Sequence, residues 1–110
     1  MKKNVLLLIV FFHFSTLASV EEKYLCVKYK TNYGWSKNYK VKATVLDGYE
    51  LYYKTYDSKY NMYSTYVVIF WQPEQASIIE LDYHYISYGG TNGKDQEGRK
   101  WIVSDSTYCY

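Results

Sequence analysis

The stretch Tyr66-Val67-Val68-Ile69-Phe70-Trp71-Gln72-Pro73-Glu74-Gln75-Ala76-Ser77-Ile78-Ile79-Glu80-Leu81 decides the fold. Its first six residues are all β-branched or aromatic, which suits a central strand covered on both faces. Pro73 ends the run, because proline has no N–H to give to a sheet ladder. Residues 76–81 return as the hairpin partner. Upstream, Tyr39, Val41, Ala43 and Val45 alternate with Lys40, Lys42 and Thr44, the two-residue period of a half-buried strand. Residues 24–29 alternate around Leu25, Val27 and Tyr29, and Thr31-Asn32-Tyr33-Gly34 has the composition of a turn.

Asp47-Gly48 lies between two strand-like runs and predicts a type I′ hairpin turn, with a further strand over residues 49–56. Residues 57–61 connect that strand to the central one. Beyond Leu81, residues 83–88 predict an edge strand, and the glycine-rich residues 89–98 a solvated loop or long hairpin tip. Residues 101–103 supply a last short strand. The chain has 16 tyrosines, all beyond residue 20, and they reinforce the β-propensity of these segments. Short strands with short connections predict an all-β fold, a small antiparallel barrel or open sandwich of about 6–8 strands with one disulfide.

Residues 1–18 have the three-part layout of a secretory signal peptide. Lys2 and Lys3 are followed by an apolar run over residues 5–14 interrupted by His13, then by small residues up to Ala18, with cleavage there or as late as residue 20. About ten apolar residues are too few to cross a membrane that needs about 20, so no stable membrane anchor is expected after cleavage. Residues 19–110 then form a single β domain, periplasmic or secreted. Two of the 13 Lys and Arg leave with the leader, which levels the remainder with the 11 Asp and Glu. A near-neutral domain is a poor nucleic-acid ligand.

Cys26 and Cys109 stand at the two ends of this domain and predict a structural disulfide in an oxidising compartment. They are too far apart for a Cys-x-x-Cys redox pair and too few for a zinc site. Candidate catalysis is equally sparse. His84 is the one histidine beyond the leader and sits between Tyr83 and Tyr85 as an ordinary strand residue. Asp82, Asp95 and Glu97 are not spaced to place two carboxylates across a cleft. Residues 92–97 lack the ligand register of a calcium loop. A non-enzymatic protein without metal or cofactor is expected. Tyr33, Trp35 and Tyr39, interleaved with lysines, are candidates for stacking against a ligand. Exposed tyrosine offers large, rigid contact area for a protein or sugar partner.

The opening Tyr24-Leu25-Cys26, the core segment from Ile69 to Ile78 with its Phe70-Trp71, short turn and Ala76-led strand, and the closing Tyr108-Cys109 resemble the bacterial inhibitors of c-type lysozyme. That resemblance implies a small antiparallel barrel stapled between its ends. It also implies a binding function, in which a loop serine and a lysine after the tryptophan enter the lysozyme cleft. Here Gln72-Pro73 stands where the family has Lys-Gly, and Ser64 is the nearest serine. The partner-contacting residues expected on this basis are Ser64, Gln72 and Glu74, carried by the loops over residues 57–64 and 72–75 at one end of the central hairpin. The alternative is a non-catalytic module binding cell-wall glycan or serving the envelope through Tyr33 and Trp35.

Overall fold

The computed structural model describes residues 20–110, so the leader expected over residues 1–18 lies outside the described residues. Among them are seven strands: β1 (Val20–Thr31), β2 (Gly34–Trp35), β3 (Tyr39–Asp47), β4 (Thr65–Gln72), β5 (Gln75–Leu81), β6 (Thr91–Lys94) and β7 (Lys100–Ser104). One helix, α1 (Gly48–Thr55), joins β3 to β4. The strand order is β2-β1-β3-β4-β5-β6-β7, and β1 also pairs with β7. Six strands therefore close an antiparallel barrel, and β2 hangs from β1 as an extra strand. The β1–β7 ladder decides between the two expected architectures in favour of the barrel.

The length of β1 makes closure possible. Its 12 residues register with β3 over residues 20–27 and with β7 over residues 26–29. Leu25, Val27, Ala43, Val67, Ile69, Ile79, Leu81, Trp101 and Val103 form the buried interior. These positions alternate along each strand, as expected when one face of every strand points inward. β4 is buried on both faces from Tyr66 to Ile69, which accounts for its unbroken apolar run. Its outward residues Tyr66 and Val68 join Leu46 and Leu51 in a second cluster beneath α1.

The hairpin expected at Asp47-Gly48 is not formed, and residues 49–56 are not a strand. Asp47 instead caps α1, its Oδ1 accepting from the Glu50 N–H at 2.9 Å. Glu50 in the first turn and Lys54 in the last complement the helix dipole, and Tyr56 ends the helix in a left-handed conformation. Leu51 is the side chain that α1 buries.

Residues 83–88 are not an edge strand either. Residues 82–90 fold across one end of the barrel, and Ile86 packs against the core. Ser87 and Thr91 divert the backbone there: the Thr91 hydroxyl accepts from Ser87 N–H at 2.9 Å and donates to the Tyr85 carbonyl at 3.2 Å. Such side-chain bonds compete with a sheet ladder. Part of the expected loop over residues 89–98 is β6.

The disulfide Cys26–Cys109 is present, with its Cα atoms 5.5 Å apart. Cys26 pairs with Ser104 of β7, so the covalent link lies beside the ladder that closes the barrel. The tail after β7 is held further by an ion pair between Lys23 and Asp105 at 2.9 Å and by the Asn38 side-chain amide donating to the Tyr110 carbonyl. The disulfide points to folding in an oxidising compartment. No helix among the described residues is long and apolar enough to cross a membrane.

Candidate functional site

At one mouth of the barrel four inward-facing positions near strand ends are aromatic: Tyr29 toward the end of β1, Tyr39 at the start of β3, Trp71 toward the end of β4 and Trp101 near the start of β7. Their rings form a continuous set. Tyr29 and Tyr39 stack with centroids 6.2 Å apart, Trp71 and Trp101 stack at 6.2 Å, Tyr29 lies 5.2 Å from Trp101, and Tyr39 meets Trp71 edge-on at 6.3 Å. Trp101 is buried, whereas Trp71 keeps 39% of its surface exposed. Trp101 is thus a floor and Trp71 an accessible wall.

The cleft above this floor encloses about 430 Å³, within the size range of small-molecule sites. Both indole N–H groups are already satisfied. Trp71 Nε1 donates to Ser77 Oγ and Trp101 Nε1 to Asp95 Oδ2, each at 2.9 Å. Asp95 has a second task. Its Oδ1 accepts from the Glu97 and Arg99 N–H groups at 2.9 Å, which shapes the turn between β6 and β7 and sets Glu97 and Arg99 on the rim. The Arg99 guanidinium lies 5.3 Å from the Tyr29 ring centroid and the Lys37 ammonium 5.2 Å from that of Tyr39. Hydrogen bonding to Tyr39, then its charge, holds the Tyr29 phenol above its ordinary pKa. It is therefore a neutral donor and acceptor across the physiological range.

The outer wall depends on one side chain. β6 pairs with β5 only at Glu80 and Leu81, leaving the start of β5 without a strand on that side. Gln96 fills that place: its Oε1 accepts from the Ile78 N–H and its Nε2 donates to the Ala76 carbonyl, both at 2.9 Å. A side-chain amide thus stands in for a peptide unit and ties the rim turn to β5. Gln96→Ala should release the turn. Losing one such bond costs about 1 kcal/mol, so amide hydrogen exchange at Ile78 should accelerate about fivefold. Unchanged exchange there would show that the wall is held by other contacts.

The structure divides the residues that the sequence singles out. Gln72 and Glu74 lie at the tip of the β4–β5 hairpin, beside the mouth, and both are exposed. Tyr33 is fully exposed in the turn between β1 and β2, at the same end. Gly34 permits that turn through its φ of 125°. Trp35 sits on the outer side of the sheet, where Lys28 and Lys30 place their ammonium groups 5.6 and 5.5 Å from its ring centroid. It does not share a face with Tyr39, which points into the mouth. Ser64 is at the opposite end. β4 places its eight residues between Ser64 and the hairpin tip, about 25 Å of extended chain. The Ser64 hydroxyl, moreover, donates to Glu80 Oε2 at 2.6 Å. The loops over residues 57–64 and 72–75 therefore do not share one end of the central hairpin, because β4 runs the length of the barrel between them.

Missing from the sequence-based set are Tyr29, Trp71, Trp101 and Arg99. Parity would have found three of them. Continuing the inward alternation of Leu25 and Val27 reaches Tyr29, that of Val67 and Ile69 reaches Trp71, and that of Val103 reaches Trp101. His84 is exposed in the bend after β5, remote from this mouth. Among the described residues no group of three or more His, Cys, Asp or Glu side chains is placed to hold a metal ion.

Comparison with known proteins assigns the chain to no family: no family model, curated protein or solved structure matches it.

Proposed function

We propose that this protein is a periplasmic or secreted binding module that takes a glycan into the aromatic mouth of its barrel without catalysing a reaction. The observation that carries this reading is the juxtaposition of Trp71, half open to solvent, with Gln75, Glu97 and Arg99 around one concave cleft. A sugar ring has apolar C–H faces and hydroxyl edges. It needs a flat aromatic surface against one and hydrogen-bonding groups around the other, and both are within reach here.

Trp71→Ala should weaken oligosaccharide binding about thirtyfold, the loss of about 2 kcal/mol typical of a central aromatic contact. Calorimetry against a panel of neutral and acidic oligosaccharides measures it. Phe70→Ala is the matched control, since Phe70 is exposed on the outer side of the same strand and should bind like the parent. Equal affinity for the Trp71 variant, or no binding of any oligosaccharide by the parent, would defeat the reading.

A second reading is inhibition of a c-type lysozyme by insertion of the tip carrying Gln72 and Glu74. The exposure of every residue from Phe70 to Gln75 favours it. Undiminished lysis of cell walls at micromolar protein would remove it.

A further inference from the structure

The cleft continues into a second hollow. Tyr29 and Arg99 line both, and on the far side of that pair Lys30 and Lys100 wall a groove of about 490 Å³ between the β1–β2 turn and the β6–β7 turn. Three cations and no acid line this groove. The ion pairs among the described residues use Lys23, Lys42 and Lys59, so none of the three cations here has a carboxylate within bonding distance. In a domain whose opposite charges balance, this is a local excess that the fold leaves unanswered.

The nearby acids form no ion pair with these cations. The Asp95 oxygens are occupied by the Trp101 indole and two backbone N–H groups, and Glu97 faces the aromatic cleft. The Arg99 guanidinium lies 5.3 Å from the Tyr29 ring centroid, and its planar fork of N–H donors is the group that grips a carboxylate or sulfate in bidentate fashion. Lys30 is pinned beside the groove by its contact with Trp35. Aromatic cleft and cationic groove together present a polarised site. One half suits an uncharged sugar face, and the other suits an anion on the same ligand.

We infer that the ligand is an acidic glycan, bearing carboxylate or sulfate groups, with its ring against Trp71 and its anion among Lys30, Arg99 and Lys100. This rests on the glycan reading above and adds the ligand's charge and orientation to it.

The test is calorimetry of the full mature protein with three probes: an oligogalacturonate, a neutral N-acetylglucosamine oligomer of equal length, and a single-stranded oligonucleotide. The oligogalacturonate should bind at least tenfold more tightly than the neutral oligomer. That preference should fall about tenfold between 20 and 200 mM salt, as screening weakens exposed charge contacts. Lys30→Ala/Lys100→Ala should remove the preference and leave the neutral oligomer's affinity unchanged. Both lysines are exposed, and circular dichroism confirms that the double variant folds. Equal, salt-insensitive binding of both sugars overturns the acidic-ligand inference while the glycan reading stands. Binding of neither sugar ends both. An oligonucleotide that matches the oligogalacturonate in affinity and salt response would show a general polyanion site and overturn the inference.

Discussion

Reduction of the Cys26–Cys109 disulfide should lower the melting temperature by about 15–25 °C. The link spans a sequence separation of 83 residues, and the chain-entropy model assigns about 4.5 kcal/mol to a loop of that size, with measured values commonly nearer 2–4 kcal/mol. For a domain of this length each kcal/mol corresponds to about 4–8 °C. The position of the bond enlarges its importance. β1 and β7 pair only over residues 26–29 on the β1 side, a short ladder that alone closes the barrel, and Cys26 is its first residue. Thermal melts with and without reductant, and of the Cys26→Ala/Cys109→Ala variant, measure the effect. A fall of less than about 5 °C would mean that the ladder and interior packing hold the barrel shut unaided.

The second large effect is expected at Gly48. Alanine is a better helix former than glycine by about 1 kcal/mol, and at an unconstrained first turn Gly48→Ala would stabilise. Here a Cβ on residue 48 would lie 1.7 Å from the Asn61 carbonyl oxygen and 2.6 Å from its carbon. Those are backbone atoms and cannot swing aside. The segment after α1 would have to withdraw, straining the Gly48 N–H bond to the Ser64 carbonyl at 2.7 Å. We expect Gly48→Ala to destabilise by about 3 kcal/mol or more in denaturant unfolding. Gly48→Asn distinguishes the helix from the hairpin that Asp47-Gly48 suggests. Asparagine is well tolerated in a type I′ turn, but in this helix it meets the same Asn61 carbonyl and should be as damaging as alanine.

Most of the barrel was legible in the chain because its signals are local. The six apolar residues from Tyr66, the break at Pro73 and the alternation from Tyr39 to Val45 each specify a strand without reference to anything distant. Asp47 shows where that ends. Aspartate before glycine serves a tight turn, and aspartate three residues before Glu50 serves a helix cap. Tyr49, Tyr52 and Tyr53 favour a strand by propensity, but Leu51 finds its burial site against Leu46, Tyr66 and Val68 only if the segment is helical. Tertiary packing decided between two valid local readings. Residues 83–88 mislead for a related reason: their alternating tyrosines mimic a strand, while Ser87 and Thr91 bind the backbone groups a strand would need.

The site was less legible than the scaffold. Tyr33 and Trp35 stand out by composition, yet Trp35 is turned to the outer face, beside Lys28 and Lys30. The aromatic floor comes from residues near the ends of four separate strands, and only their shared inward parity unites them. The cationic groove is less visible still. Its significance lies in which charges find partners across the fold, and the balanced totals of the sequence conceal that.

A barrel whose first strand is stitched to its last has a consequence for its own biogenesis. A growing polypeptide that has not yet released Ser104 cannot complete the barrel, because β1 lacks the strand that closes the ring and β6 has no partner on its outer side. Contacts of such high sequence separation make folding slow and nearly all-or-none. Until the final strand arrives two strand edges remain open, the condition in which an incomplete sheet is most prone to pair with another chain.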